Sequence, residues 1–84
     1  MELEIICKNS AFKHGVSDAD IRRAFQDIEY DSFFQGGDDS KNLLIGFDRN
    51  ANLLEIMYNV IDENTVQVFH AMKCRPALLS LLKH

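Results

Sequence analysis

LLIGFDRNANLLEIMYNVIDENTVQVFHAM, residues 43–72, is the stretch that decides the fold. It holds three runs rich in branched and aromatic side chains, at 43–48, 53–61 and 65–72. Two short polar breaks separate them. Arg49, Asn50, Ala51 and Asn52 make one turn by composition, and Asp62, Glu63 and Asn64 make the other. Short turns between β-forming runs imply a three-strand antiparallel meander.

Toward the C-terminus, Pro76 suits the first position of a helix. Residues 77–83 then predict a short helix carrying Leu78, Leu79, Leu81 and Leu82. Leu78, Leu81 and Leu82 share a face and are expected to cover the sheet. Leu79 points elsewhere, and together with the aromatics of residues 30–34 it predicts an apolar surface for a partner or a second copy.

Toward the N-terminus, residues 30–35 read as an edge strand and 36–40 as a turn. Ser17 opens a helix: its hydroxyl can cap the amide three residues on, and Asp18 and Asp20 favour the positive end of the helix dipole. Ile21, Ala24, Phe25 and Ile28 recur at helical spacing and predict the buried face, while Arg22, Arg23, Gln26 and Asp27 fall opposite. Residues 3–7 predict a first strand. Residues 9–14 allow one or two helical turns, with Gly15 as a left-handed stop. The class is α+β: a small antiparallel sheet, the meander plus one or two further strands, packed against N-terminal helices, with a short C-terminal helix.

At 84 residues there is room for one domain, spanning 1–84. A hydrophobic share of 46% suits a packed core, but a thin one, so support from a partner or from self-association is expected. With 13 acidic and 9 basic side chains the formal net charge is -4. That argues against gripping nucleic acid through the overall field and leaves only a local basic cluster for that purpose. Cys7 and Cys74 form no Cys-x-x-Cys pair and are expected to be free, buried thiols. Residues 1–7 lack the basic start and apolar run of a secretory leader, and no apolar stretch approaches membrane-spanning length, so a cytoplasmic protein is expected.

The chemistry-bearing residues lie in two segments: Lys13, His14, Gly15, Val16 and Ser17 near the start, and His70 to Arg75 near the end. Taken singly, each has an ordinary explanation. Lys13 and His14 precede a helix-ending glycine, where cations suit the helix terminus. His70 alternates with Val66, Val68 and Met72, as a half-buried strand histidine would. Taken together they supply two imidazoles, two lysines and an arginine. Cleaving RNA without a metal needs a base for the 2′-hydroxyl, an acid for the leaving oxygen and cations for the charge at phosphorus, and these residue types provide all three near neutral pH.

The order of elements, with Lys13-His14-Gly15-Val16 and the capping Ser17 before a helix, resembles the BrnT-like toxins of the RelE/ParE-like group. The likeness runs from about residue 5 to about residue 82, with residues 66–75 in support. It implies a curled antiparallel sheet packed against helices, RNA cleavage that is ribosome-linked or free, and neutralisation by a DNA-binding antitoxin, with a homodimer or a heterotetramer with the antitoxin left open. Lys13, His14 and His70 are the catalytic candidates; Lys73 and Arg75 are the candidates for holding RNA phosphate. The family's last strand usually carries adjacent arginines after a small residue, where this chain has Met72 and Lys73. Lysine keeps the charge but loses bidentate phosphate geometry. The alternative is therefore a non-catalytic protein-binding module of the same fold. A metal site from His14, His70 and Asp48 or Glu55 lacks ligand spacing, so no metal and no cofactor is expected. Neither cysteine has a neighbouring base to make it a nucleophile, and Gly36-Gly37 opens no phosphate loop.

Overall fold

The computed structural model describes residues 3–33 and 41–82. The meander forms as the turns require: β3 (Lys41–Phe47), β4 (Leu53–Asp62) and β5 (Thr65–Lys73) are consecutive and antiparallel. β2 (Ile28–Phe33) adds antiparallel to β3 as the edge strand expected there. β1 (Glu4–Cys7) adds at the other edge, parallel to β5, with Glu4 opposite Thr65 and Cys7 opposite Val68. The spatial order is β1-β5-β4-β3-β2, so the sheet is mixed and not wholly antiparallel. The parallel pair exists because the chain leaves β1 through a helical crossover and reaches the opposite edge before the meander begins.

That crossover holds a 3-10 turn (Asn9–Phe12) and α1 (Asp18–Ala24). The helical section therefore sits between the first two strands and does not precede the sheet. Ser17 caps α1 as expected: its Oγ accepts from the Asp20 N–H at 3.2 Å and donates to the Asp20 carboxylate at 3.1 Å. Asp20 also receives the Nε of Arg49 at 2.8 Å, tying the start of the helix to the β3–β4 turn. In that turn the Asp48 carboxylate accepts the N–H groups of Asn50 and Asn52, and Ala51 is held at φ +62°.

α1 stops at Ala24, four residues short of its expected reach. The cause is on β3. A Cβ at Gly46 would collide with the Ala24 carbonyl oxygen and lie 3.0 Å from that of Asp27, so the bare glycine lets the helix end settle on the strand. The Asp27 carbonyl then accepts the Phe47 N–H at 3.1 Å, and Ile28 enters β2 opposite Gly46. Ile28 is consequently 44% exposed and does not join the core. Ile21 and Ala24 are buried as expected; Phe25 is half-buried, edge-on to Tyr58 with ring centroids 5.3 Å apart.

Two layers follow from the register. One face of the sheet joins α1 in the main core, with Ile5, Leu44, Leu54, Ile56, Tyr58, Val66, Val68 and Ala71 buried beside Ile21 and Ala24. The other face buries Leu43, Ile45 and, unusually, Glu55. The C-terminal segment starts over this second face. It is a single helical turn, α2 (Pro76–Leu79), which tightens into a 3-10 turn (Ser80–Leu82). The tightening breaks the expected α-helical spacing. Leu78 and Leu82 are half-buried, whereas Leu81 is as exposed as Leu79, each 38%. Of the aromatics expected beside Leu79, Tyr30 is half-buried; Phe34 and the 36–40 turn lie outside the described residues. Both cysteines are free and half-buried, where full burial was expected. No helix among the described residues is long and apolar enough to cross a membrane.

Candidate active site

The site begins with an irregularity in β5. Tyr58 pairs with Val68 and Met57 with His70, so Phe69 is an additional residue without a partner on β4. Such a bulge shifts the alternation of side chains by one. Val66 and Val68 point to the α1 face, and after the bulge Ala71 returns to that face opposite Ile56. His70 and Met72 are thereby delivered to the other face, with Met57 and Glu55. The expectation that His70 shares the face of Val66 and Val68 is corrected by this one residue.

β1 leaves β5 at the same place. The Lys8 N–H donates to the Val68 carbonyl at 2.9 Å, and the Ser10 hydroxyl donates to the Phe69 carbonyl at 2.7 Å. The 3-10 turn is thus pinned on the bulge, with Ala11 fully buried beneath it. The Gly15 N–H closes back on the Phe12 carbonyl at 3.1 Å, with Gly15 at φ +81°, the left-handed stop expected of it. This closure presents His14 edge-on to His70, ring centroids 5.5 Å apart and planes at 73°.

Beneath the histidines lies Glu55, whose side chain is inaccessible to solvent. Its Oε2 faces His70 Nε2 at 2.9 Å and accepts Arg75 Nη2 at 2.8 Å. Its Oε1 accepts the Arg75 Nε at 2.9 Å and the Arg75 backbone N–H at 3.0 Å. Burial pushes the Glu55 carboxyl up, but the Arg75 side-chain and backbone bonds, with the bond to His70, outweigh it and hold the group below the usual carboxylate range. An ionised carboxylate only accepts, so His70 Nε2 carries the proton of their shared bond, and in the neutral ring the lone pair is on Nδ1.

Of the five residues singled out in the sequence, His14 and His70 are brought into contact, and Arg75 joins them through Glu55. Arg75 commits two of its three guanidinium nitrogens to Glu55, which leaves Nη1 for a phosphate. Lys13 is exposed, next to His14 at the end of the 3-10 turn. Lys73 stands opposite Leu54, so the register sends it toward the α1 face, away from His70. Glu55, weighed in the sequence only as a metal ligand, is the residue that orients the others. The signal for it was a lone carboxylate inside the apolar run Leu53, Leu54, Ile56, Met57 and Tyr58. A second signal is distribution: residues 5–17 and 64–84, which supply both histidines, contain none of the chain's 13 acidic side chains.

Other chemistries fit less well. Among the described residues no three His, Cys, Asp or Glu side chains are grouped to hold a metal ion. Asp48 is taken up by the amides of its own turn. Burial and the nearby Glu55 charge push the Cys74 thiol up, and burial and Asp18 do the same at Cys7, away from the reactive thiolate form. Neither a protein-family model nor a curated protein sequence matches the chain.

Proposed function

We propose that this chain is the toxin of a bacterial toxin–antitoxin pair and cleaves cytoplasmic RNA by metal-free acid–base chemistry. The observation that carries the reading is the His14–His70 contact with His70 oriented by an ionised Glu55, on an edge built from acid-free segments. His70 Nδ1 takes the proton of a ribose 2′-hydroxyl. The 2′-oxygen bonds to phosphorus, and the bond from phosphorus to the 5′-oxygen breaks. His14, entering as the imidazolium, protonates that leaving oxygen, and a 2′,3′-cyclic phosphate remains. Lys13 and the free nitrogen of Arg75 stabilise the charge that builds on phosphate. A carboxylate fixing the tautomer of a histidine base is a recurring device in proton transfer.

His14→Ala and His70→Ala, assayed on labelled RNA with chelator present, should each slow cleavage by about 10²–10⁴-fold while leaving the circular dichroism spectrum unchanged. Wild-type rates in both variants would remove the proposal. A second reading, binding without catalysis, draws on Leu79 and Leu81, each 38% exposed on the last segment. On that reading a cognate DNA-binding antitoxin still binds, as a heterotetramer or against a homodimer, and Leu79→Glu weakens the complex whether or not RNA is cut.

A further inference from the structure

We infer that Phe12 is a stacking subsite for an unpaired nucleobase beside the scissile phosphate. The inference rests on the proposed RNA cleavage and adds to it a residue that selects single-stranded substrate. Phe12 is 39% exposed, a large aromatic side chain left at the surface. Its exposure is built in. The turn that carries it is fixed by the Lys8 N–H on Val68, by the Ser10 hydroxyl on Phe69 and by the buried Ala11, so Phe12 has no route into the core without breaking these anchors.

Its position relative to the histidines follows from the closure of the chain. The Gly15 N–H bonds to the Phe12 carbonyl, so Phe12 and Gly15 bracket a tight turn with Lys13 and His14 at its centre. The Cα atoms at the ends of such a turn lie within about 7 Å, so Phe12 and His14 leave the backbone from neighbouring points of one fixed turn. Lys8 and Lys13 are exposed and flank Phe12 in the chain, and residues 5–17 hold no carboxylate to repel a phosphate. An exposed aromatic between cations is the arrangement on which single strands stack, because every base has a π-face and the backbone needs only neutralising charge. A duplex keeps its bases stacked on one another and offers none to such a platform.

The chain contains no tryptophan, so Phe12→Trp installs a single indole at the subsite. At low salt, a short oligothymidylate, which lacks the 2′-hydroxyl and is not cut, should quench that fluorescence saturably; a duplex of equal length should not. Phe12→Ala should weaken binding of a labelled oligothymidylate by about tenfold, and Phe12→Tyr should restore it. Equal affinity of Phe12→Ala and wild type, or equal quenching by duplex, overturns the inference, as does a wild type that binds no single strand. Adding His14→Ala or His70→Ala to the tryptophan variant should slow RNA cleavage by the same factor, about 10²–10⁴-fold, and keep the quenching. Quenching without cleavage in any histidine-intact protein would sink the catalytic proposal alone. Cleavage with an unaffected Phe12→Ala would sink the subsite alone.

Discussion

Glu55→Gln tests the centre of the site with no change of size. The carboxylate accepts four bonds: two at Oε1 from Arg75, and one each at Oε2 from Arg75 and His70. A glutamine keeps one acceptor oxygen and turns an NH2 toward donors. If the oxygen retains the two Oε1 bonds, the new amide nitrogen is set against the Arg75 Nη2 donor in a fully buried position, and it can bond His70 only if that ring moves its proton from Nε2 to Nδ1. Each unsatisfied buried group costs about 1–3 kcal/mol, so the variant should lose about 2–4 kcal/mol at pH 7. In urea that is a midpoint lower by about 1–2 M for a chain of this size.

The pH dependence carries a second signature. The folded Glu55 carboxyl titrates below its ordinary value of 4.5. Its ionisation therefore contributes stability that is fully present above 4.5 and lost as the pH falls through the lower folded value. Glutamine has no such titration. The stability gap between the two proteins should narrow below about pH 4.5. Urea unfolding followed by circular dichroism across that range reads both quantities. A gap under about 1 kcal/mol at pH 7, or one that persists undiminished at pH 3.5, would refute the account of Glu55 as an ionised, fully paired anchor.

Two further variants probe the scaffold around the site. Gly46→Ala should destabilise by about 1–3 kcal/mol in urea, because the added methyl meets backbone oxygens of Ala24 and Asp27, which no side-chain rotation can move aside; an unchanged midpoint would mean that α1 does not rest on this strand. Ala51→Gly should stabilise by about 0.5–1 kcal/mol, since the strain of about 1–2 kcal/mol on an alanine held at φ +62° exceeds the entropy glycine adds to the unfolded chain; a lowered melting temperature would show that the strain is absent.

Local signals were legible in the sequence and long-range ones were not. The meander, the Ser17 cap and the Gly15 stop each depend on residues a few positions apart, and each forms as read. The end of α1 was misread because Ile28 continues the helical spacing; what stops the helix is Gly46, in contact only after folding. The parallel placement of β1 depends on the crossover and leaves no mark in the strand itself. The orientation of His70 was hidden for a simpler reason. Val66, Val68, His70 and Met72 alternate without interruption, and Phe69 and Ala71 are apolar too, so either parity fits the composition. The histidines and Arg75 stood out as residue types, but the carboxylate that joins them looked like one acid among 13.

The placement of β1 also sets an order of assembly during synthesis. Its sheet neighbour is β5, the last strand in chain order among the described residues, and Ser10 meets its acceptor on Phe69 across 59 residues of chain. His14 leaves the ribosome early and has nothing to lean on, while Glu55, His70 and Arg75 follow from the later part of the chain. The meander can close on local turns, but the N-terminal segment docks only when residues 65–69 are free to receive it. A growing chain therefore carries no histidine pair until residues 65–75 have left the ribosome and received the N-terminal segment.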